Sequence, residues 1–223
     1  EAGQYSFSEE DLRRNILPNT RMFLLCNPHN PVGRVFTREE LGQIVAFCKQ
    51  NDLFICSDEI HCDLIYPPAQ HIPIISLGQN AEERTVMLFA PSKTFNIAGL
   101  GFSVMVVKDP HLMQTVKRKL QGILPHPDLL AAQAADAAYQ HGEEWLREMT
   151  VYLQENRDYL AGFLASEMPD IKMNKPEGTF LAWLDCRSLP FGDDPYSFFL
   201  KNARVALNNG ADFGSAGKGF VRL

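Results

Sequence analysis

The chain has 223 residues and a mass of 25.1 kDa, enough for one large domain or two small ones. Its 21 Lys and Arg against 27 Asp and Glu leave a formal net charge of −6, which argues against the basic face that nucleic-acid binders use to neutralise phosphates. A hydrophobic content of 45%, with 15 Phe, excludes disorder over most of the length, and no apolar run approaches the roughly 20 residues that span a bilayer.

Glu1 to Gln4 lacks the basic and apolar regions of a signal peptide. Ser8 followed by Glu9, Glu10 and Asp11 predicts a short helix to about Asn15. Arg21 to Cys26 reads as a buried strand, and Asn27 to Gly33 (NPHNPVG) as a loop that its two Asn-Pro steps hold extended. Thr37 with Glu40 forms a capping box, and Leu41, Ile44, Val45 and Cys48 give a helical stripe. Leu53 to Ser57 is a second buried strand, with Asp58 at its C-terminal end. This strand–helix–strand pattern predicts a parallel crossover, and Thr85 to Ala90 and Phe102 to Val107 add two strands. In such sheets ligands bind beyond the carboxyl ends of the strands, where the loops at 27–33, 58–63 and 90–96 fall.

Beyond Asp109 the pattern turns helical. Trp145, Met149, Tyr152, Leu153, Leu160, Phe163 and Leu164 mark a long amphipathic helix. Strands return at Thr179–Asp185, Val205–Leu207 and Gly219 onward, with a helix at Pro195–Lys201. The last strand stops at Leu223 without a polar tail, so both ends of the chain are expected to have been cut. Five cysteines at 26, 48, 56, 62 and 186 form no CxxC pair and suit a reducing compartment, the cytoplasm.

Several residues could carry chemistry. Lys93, after a buried strand and between apolar flanks, can act as a desolvated amine that condenses with a carbonyl, although most lysines are solvated. Asp58 reads either as a turn residue or as a buried carboxylate needing a positive partner. Asn30 is a turn residue, or one aimed at a ligand oxygen from a rigid loop. Arg222 is a strand-surface residue, or a planar fork for a carboxylate. His61, within DEIHCD, has metal-ligand types around it but no HExxH and no second histidine cluster, so no metal site is expected.

Asn27–Arg34 (NPHNPVGR), Ser57–His61 (SDEIH), Ser92–Gly99 (SKTFNIAG) and Gly219–Leu223 (GFVRL), in this order and spacing, resemble the fold-type I pyridoxal-phosphate enzymes of the class I/II aminotransferase family. NPHNPVGR, DEIH and APSKTFNIAG, with Gly178–Asp185, look like its MalY/PatB branch of cystathionine β-lyases or C–S lyases. The resemblance implies an α/β fold. A three-layer αβα domain with a mostly parallel sheet would be incomplete here, and a small α+β C-terminal domain would follow. The implied units are 1–125 for the second half of the large domain, 126–168 for a helical connection and 169–223 for a truncated small domain.

The resemblance also implies roles. Lys93 would bind pyridoxal 5'-phosphate as a Schiff base and shuttle the Cα proton. Asp58 would pair with the pyridine nitrogen. Asn30, with His61 nearby, would bind the phenolic oxygen, and Ser92 would contact the phosphate. Arg222, together with Asn30, would bind the amino-acid substrate. Ala90 departs from the phosphate-binding Ser of many relatives. Relatives are longer, so this chain looks like a C-terminal portion, a homodimer when complete. The implied activity is α,β-elimination on a sulfur amino acid, with transamination as the close alternative and a non-enzymatic protein or a metal hydrolase as rivals of other classes.

Overall fold

A computed structural model describes residues 5–191 and 194–223, so the segment Glu1 to Gln4, read above for a signal peptide, lies outside the described residues. Helix α1 (Glu9–Asn15) begins on Ser8, whose hydroxyl and backbone N–H both bond Asp11, with acids in its first turn and Arg13 and Arg14 in its last. Strand β1 (Met22–Cys26) leads to α2 (Arg38–Gln50), where Thr37 and Glu40 close the predicted capping box. Strands β2 (Phe54–Asp58), β3 (Thr85–Phe89) and β4 (Val104–Val106) complete a sheet in the order β1-β2-β3-β4. The first three strands run parallel and β4 antiparallel.

Helix α2 covers one face of this sheet. Leu41, Ile44, Val45, Phe47 and Cys48 pack with Leu25, Leu53, Ile55 and Ile74, each aliphatic side chain contributing about 1.5–3 kcal/mol by leaving water. The opposite face is open, as the incomplete domain implies. Met22 lies beside Phe54 and Leu24 beside Cys56, and Met22, Leu24 and Phe54 remain 48%, 74% and 44% exposed. Among the described residues no helix covers them. Asp58, at the end of the same row, is exposed rather than buried.

A four-residue turn, α3 (Gln79–Glu82), precedes β3, and another, α4 (Pro91–Thr94), follows it. Next come α5 (Pro110–Leu120), α6 (Leu129–His141) and α7 (Glu143–Glu167). Of the stripe expected to bury α7, only Leu164 is buried, while Trp145, Tyr152 and Phe163 stay exposed. No helix among the described residues is long and apolar enough to cross a membrane.

The second sheet is antiparallel, in the order β5-β6-β8-β7: β5 (Lys172–Met173), β6 (Trp183–Asp185), β7 (Asn208–Asn209) and β8 (Phe220–Arg222). Its core is Leu164, Ile171, Ala182, Leu184, Cys186 and Val221. Two expected strands are shorter or displaced. Thr179 cannot extend β6, because it sits at φ 69° and its N–H donates to the Leu64 carbonyl. The helix at Pro195 (α8, Pro195–Phe198) continues as a wider turn over Phe199–Ala203, and Arg204 at φ 58° ends it. Pairing therefore begins only at Asn208, not at Val205–Leu207.

Candidate active site

The carboxyl ends of β1, β2 and β3 carry three loops that meet. The β1 loop is not extended. It folds back between His29 and Arg34, whose backbones pair while the Gly33 N–H returns to the His29 carbonyl. The Asn27–Pro28 and Asn30–Pro31 bonds are both cis. Gly33 is required here, because φ is 74° and a Cβ would meet Pro176 at 2.3 Å.

Arg34 locks this loop to the segment after β5. Its guanidinium reaches both oxygens of Glu40 at 2.8 Å and lies 3.2 Å from Glu177, whose carboxylate also accepts the Val35 N–H. Glu177 N–H and Gly178 N–H both donate to the Gly33 carbonyl. The β2 loop joins the same lock: Ile65 pairs with Gly178, and the Tyr66 hydroxyl donates to the Thr179 carbonyl at 2.5 Å.

His61 marks the centre. It is 3% exposed, Phe180 packs edge-on against its ring at 5.4 Å, and its Nδ1 is buried without a partner. Burial, then the nearby positive charge of Lys93, press its pKa down to about 4; Asp58 opposes this and Arg222 adds to it. The charges of Lys93, Asp58 and Arg222 all act on this one imidazole, which is neutral at physiological pH. The Asp58 carboxylate accepts the Ile60 N–H at 3.1 Å, and its backbone carbonyl accepts the Asn27 N–H. Lys93 and Ser92, both half-buried, sit on α4. Asn30 reaches the cluster by accepting a hydrogen bond from Arg222.

All six predicted positions thus lie on converging segments. Sequence reasoning missed Phe180, against His61, and two residues that hold Arg222: Asn208, which accepts from Nε and Nη2, and Phe213, whose ring lies 4.8 Å beneath the guanidinium. It also missed Asp63, which accepts the Thr94 hydroxyl at 2.7 Å. Glu59, beside Asp58, is buried and engaged with Ser57, His71 and the Ile74 N–H. A concavity of about 870 Å³ lies elsewhere, between α7 and the second sheet, lined by Tyr5, Leu164, Ile171, Trp183 and Phe220 among others, and contains none of the predicted residues.

Comparison with known proteins shows what the chain is similar to. The chain is 37% identical over 224 residues to the cystathionine beta-lyase PatB of Bacillus subtilis, covering 99% of the chain and 58% of the relative. It is 34% identical over 209 residues to the protein MalY of Escherichia coli, covering 92% of the chain and 53% of the relative. The crystal structure of cystalysin from Treponema denticola, which contains a pyridoxal 5'-phosphate cofactor, superposes with a TM-score of 0.95 at 32% identity, over all of this chain and 57% of that one. Aminotransferases of Thermococcus litoralis and Bacillus subtilis match at 28% and 26% identity, and the crystal structure of a PLP-bound putative aminotransferase from Clostridium difficile superposes with a TM-score of 0.95 at 38% identity, over all of this chain and 58% of that one. The chain spans little more than half the length of the curated relatives it matches. The model of the aminotransferase class I and II family matches residues 5–223, and the chain belongs to that family.

Proposed function

We propose that this chain carries the lysine, the ring-binding residues and the carboxylate-binding arginine of a pyridoxal-phosphate-dependent carbon–sulfur lyase. The reaction is α,β-elimination on a sulfur amino acid, giving a thiol, pyruvate and ammonia. The observation that carries it is the gathering of Lys93, Asp58 and Arg222 about the buried His61, with Asn30 joined to Arg222. Among the curated relatives, the likeness to PatB and MalY, at 37% and 34% identity, exceeds that to the aminotransferases, at 28% and 26%, which favours elimination over transamination.

The residues present fit the cofactor. An orphaned buried imidazole nitrogen, an exposed carboxylate on a strand end and an amine on the next strand end are the partners that a phenolic oxygen, a pyridine nitrogen and an aldehyde carbon need. Pyridoxal phosphate, when bound, supplies a sink for the electron pair left at Cα. Asp58 holds a proton on the ring nitrogen. Asn30 and neutral His61 hydrogen-bond the ring oxygen, and Ser92 contacts the phosphate. Arg222 grips the α-carboxylate with its fork, so that the Cα–H bond faces Lys93. The Lys93 amine takes that proton as the Cβ–S bond breaks and passes it to the departing thiolate, and a water molecule hydrolyses the remaining three-carbon unit to pyruvate and ammonia.

In this reading residues 1–125 belong to the large domain, 126–168 connect, and 169–223 belong to the small one. The complete protein is a cytoplasmic homodimer. Five free cysteines support a reducing compartment, and the exposed aromatic residues of α7 support a partner surface. The test is to supply cystathionine to the full-length protein and measure pyruvate release against amino transfer to a 2-oxo acid. Amino transfer without pyruvate would make it an aminotransferase.

A further inference from the structure

The turn that bears Lys93 is held to its surroundings at few points. Helix α4 is a single turn of four residues, and Ala90 gives it no side-chain cap. Its backbone bonds, Phe95 N–H to the Pro91 carbonyl and Ile97 N–H to the Ser92 carbonyl, are local. They shape the turn without fixing it to a neighbour. The side chain after Lys93 does that. Thr94 is fully buried, and its hydroxyl donates to the Asp63 carboxylate at 2.7 Å. Asp63 stands two residues after His61 and five after Asp58, on the loop that follows β2.

Around this carboxylate lie acids that stay neutral. Burial first, then the charges of Asp63 and Cys62, push the Tyr139 phenol up to about 12, and the Cys62 thiol is likewise pushed up to about 12 by burial and then by Asp63. Tyr139 also packs edge-on against Phe95 at 5.2 Å, closing the other side of the turn.

We propose that Asp63, through the Thr94 hydroxyl, is a positioning residue for Lys93, setting the lysine-bearing turn against the loop that carries Asp58 and His61. The inference rests on the assignment of Lys93 above. A charge-assisted hydrogen bond from a buried hydroxyl is a stiff link, and a displacement of about 1 Å at a reacting group can cost about 10²-fold in rate.

The experiment uses the full-length protein with Thr94→Val, Thr94→Ser, Asp63→Ala and Asp63→Asn. Two readouts are taken: kcat and KM with the cofactor loaded, and, in the cofactor-free protein, the rate at which each lysine is reductively methylated, followed by mass spectrometry. Thr94→Val and Asp63→Ala are expected to lower kcat at least about ten-fold with KM within about three-fold, and to change the methylation rate of Lys93 alone. Thr94→Ser, which keeps the donor to the carboxylate, is expected to restore both readouts, and Asp63→Asn, which keeps a neutral acceptor, to restore them in part. An unchanged Lys93 methylation rate in both Thr94→Val and Asp63→Ala overturns the proposal, as does a serine variant as impaired as the valine one. If Thr94→Val does not fold, Asp63→Ala against Asp63→Asn decides by the same measures. Lys93→Ala is the control: turnover surviving it sinks the functional reading, while methylation in the cofactor-free protein still judges the link.

Discussion

Arg222 and Asn30, 192 positions apart, are joined by a hydrogen bond of 2.8 Å from Nη1 to Oδ1, so the last strand of the second sheet touches the first loop of the first sheet. Asn208 accepts from Nε at 3.3 Å and from Nη2 at 2.8 Å, so all three guanidinium nitrogens are spoken for. Nη1 and Nη2 each keep a second N–H, which is what a ligand carboxylate can take while the amides fix the fork. Lysine has no fork. Arg222→Lys in the full-length protein is expected to raise KM for the amino acid by about ten- to one-hundred-fold, the value of one charged bidentate contact. Steady-state kinetics check it.

Lys93→Ala is expected to abolish turnover while leaving part of the cofactor affinity, because Asp58, Asn30, His61 and Ser92 remain. Equilibrium dialysis of pyridoxal phosphate against the variant, beside a turnover assay, separates the two effects. Turnover near that of the unaltered protein would contradict the assignment.

His61 predicts a pH dependence of stability. Its folded pKa of about 4, depressed by burial first and then by Lys93, lies below the ordinary value near 6.5. As pH falls from 6.5 toward 4 the unfolded chain binds a proton that the folded chain refuses, so stability falls through that window and is fully present above it. The loss is on the order of 3 kcal/mol. Urea unfolding at pH 7 and pH 4.5 should show it, and His61→Phe should flatten the difference.

Gly33→Ala is expected to cost at least about 2 kcal/mol. The new Cβ would lie 2.3 Å from Pro176 Cβ, at a φ of 74° that alanine disfavours. Pro176 is held beside Glu177, which Arg34 and Val35 both engage, so it cannot retreat cheaply. A fall in thermal midpoint measures the cost.

Residues 1–223 expressed alone are expected to self-associate through the uncovered face of the first sheet, where Met22, Leu24 and Phe54 stand in register. Leu24→Lys should lower the sedimentation coefficient toward that of a monomer. The isolated chain should also turn over substrate negligibly, since a site lacking part of its cofactor contacts loses orientation.

What the sequence made legible was local. The N-cap at Ser8 and the capping box at Thr37 need only residues within three positions, and the apolar runs of β1, β2 and β3 need only their own side chains. Chain order then carried Asn30, Asp58 and Lys93 to one sheet edge. Pairings made at a distance stayed hidden. Thr179 has the composition of a strand residue, but its backbone serves Leu64 and Tyr66, over a hundred positions away. Asn208 and Phe180 become site residues only through what lies across from them. The stripe on α7 was legible as apolar, yet its burial depends on surfaces that the described residues do not supply.

Were the second sheet to turn against the first, the lock between Arg34 and Glu177 would be its pivot. It fastens the loop after β1 to the segment just beyond β5, the strand at one margin of the second sheet, whose order runs β5-β6-β8-β7. A rigid plate pinned near one margin turns with a displacement that grows across its width. Strand β5 would scarcely move, while β8, two strands further out, would swing through a longer arc and carry Arg222 with it. Such a lever would end at the 2.8 Å contact with Asn30, where a small rotation at the pin would make or break one hydrogen bond.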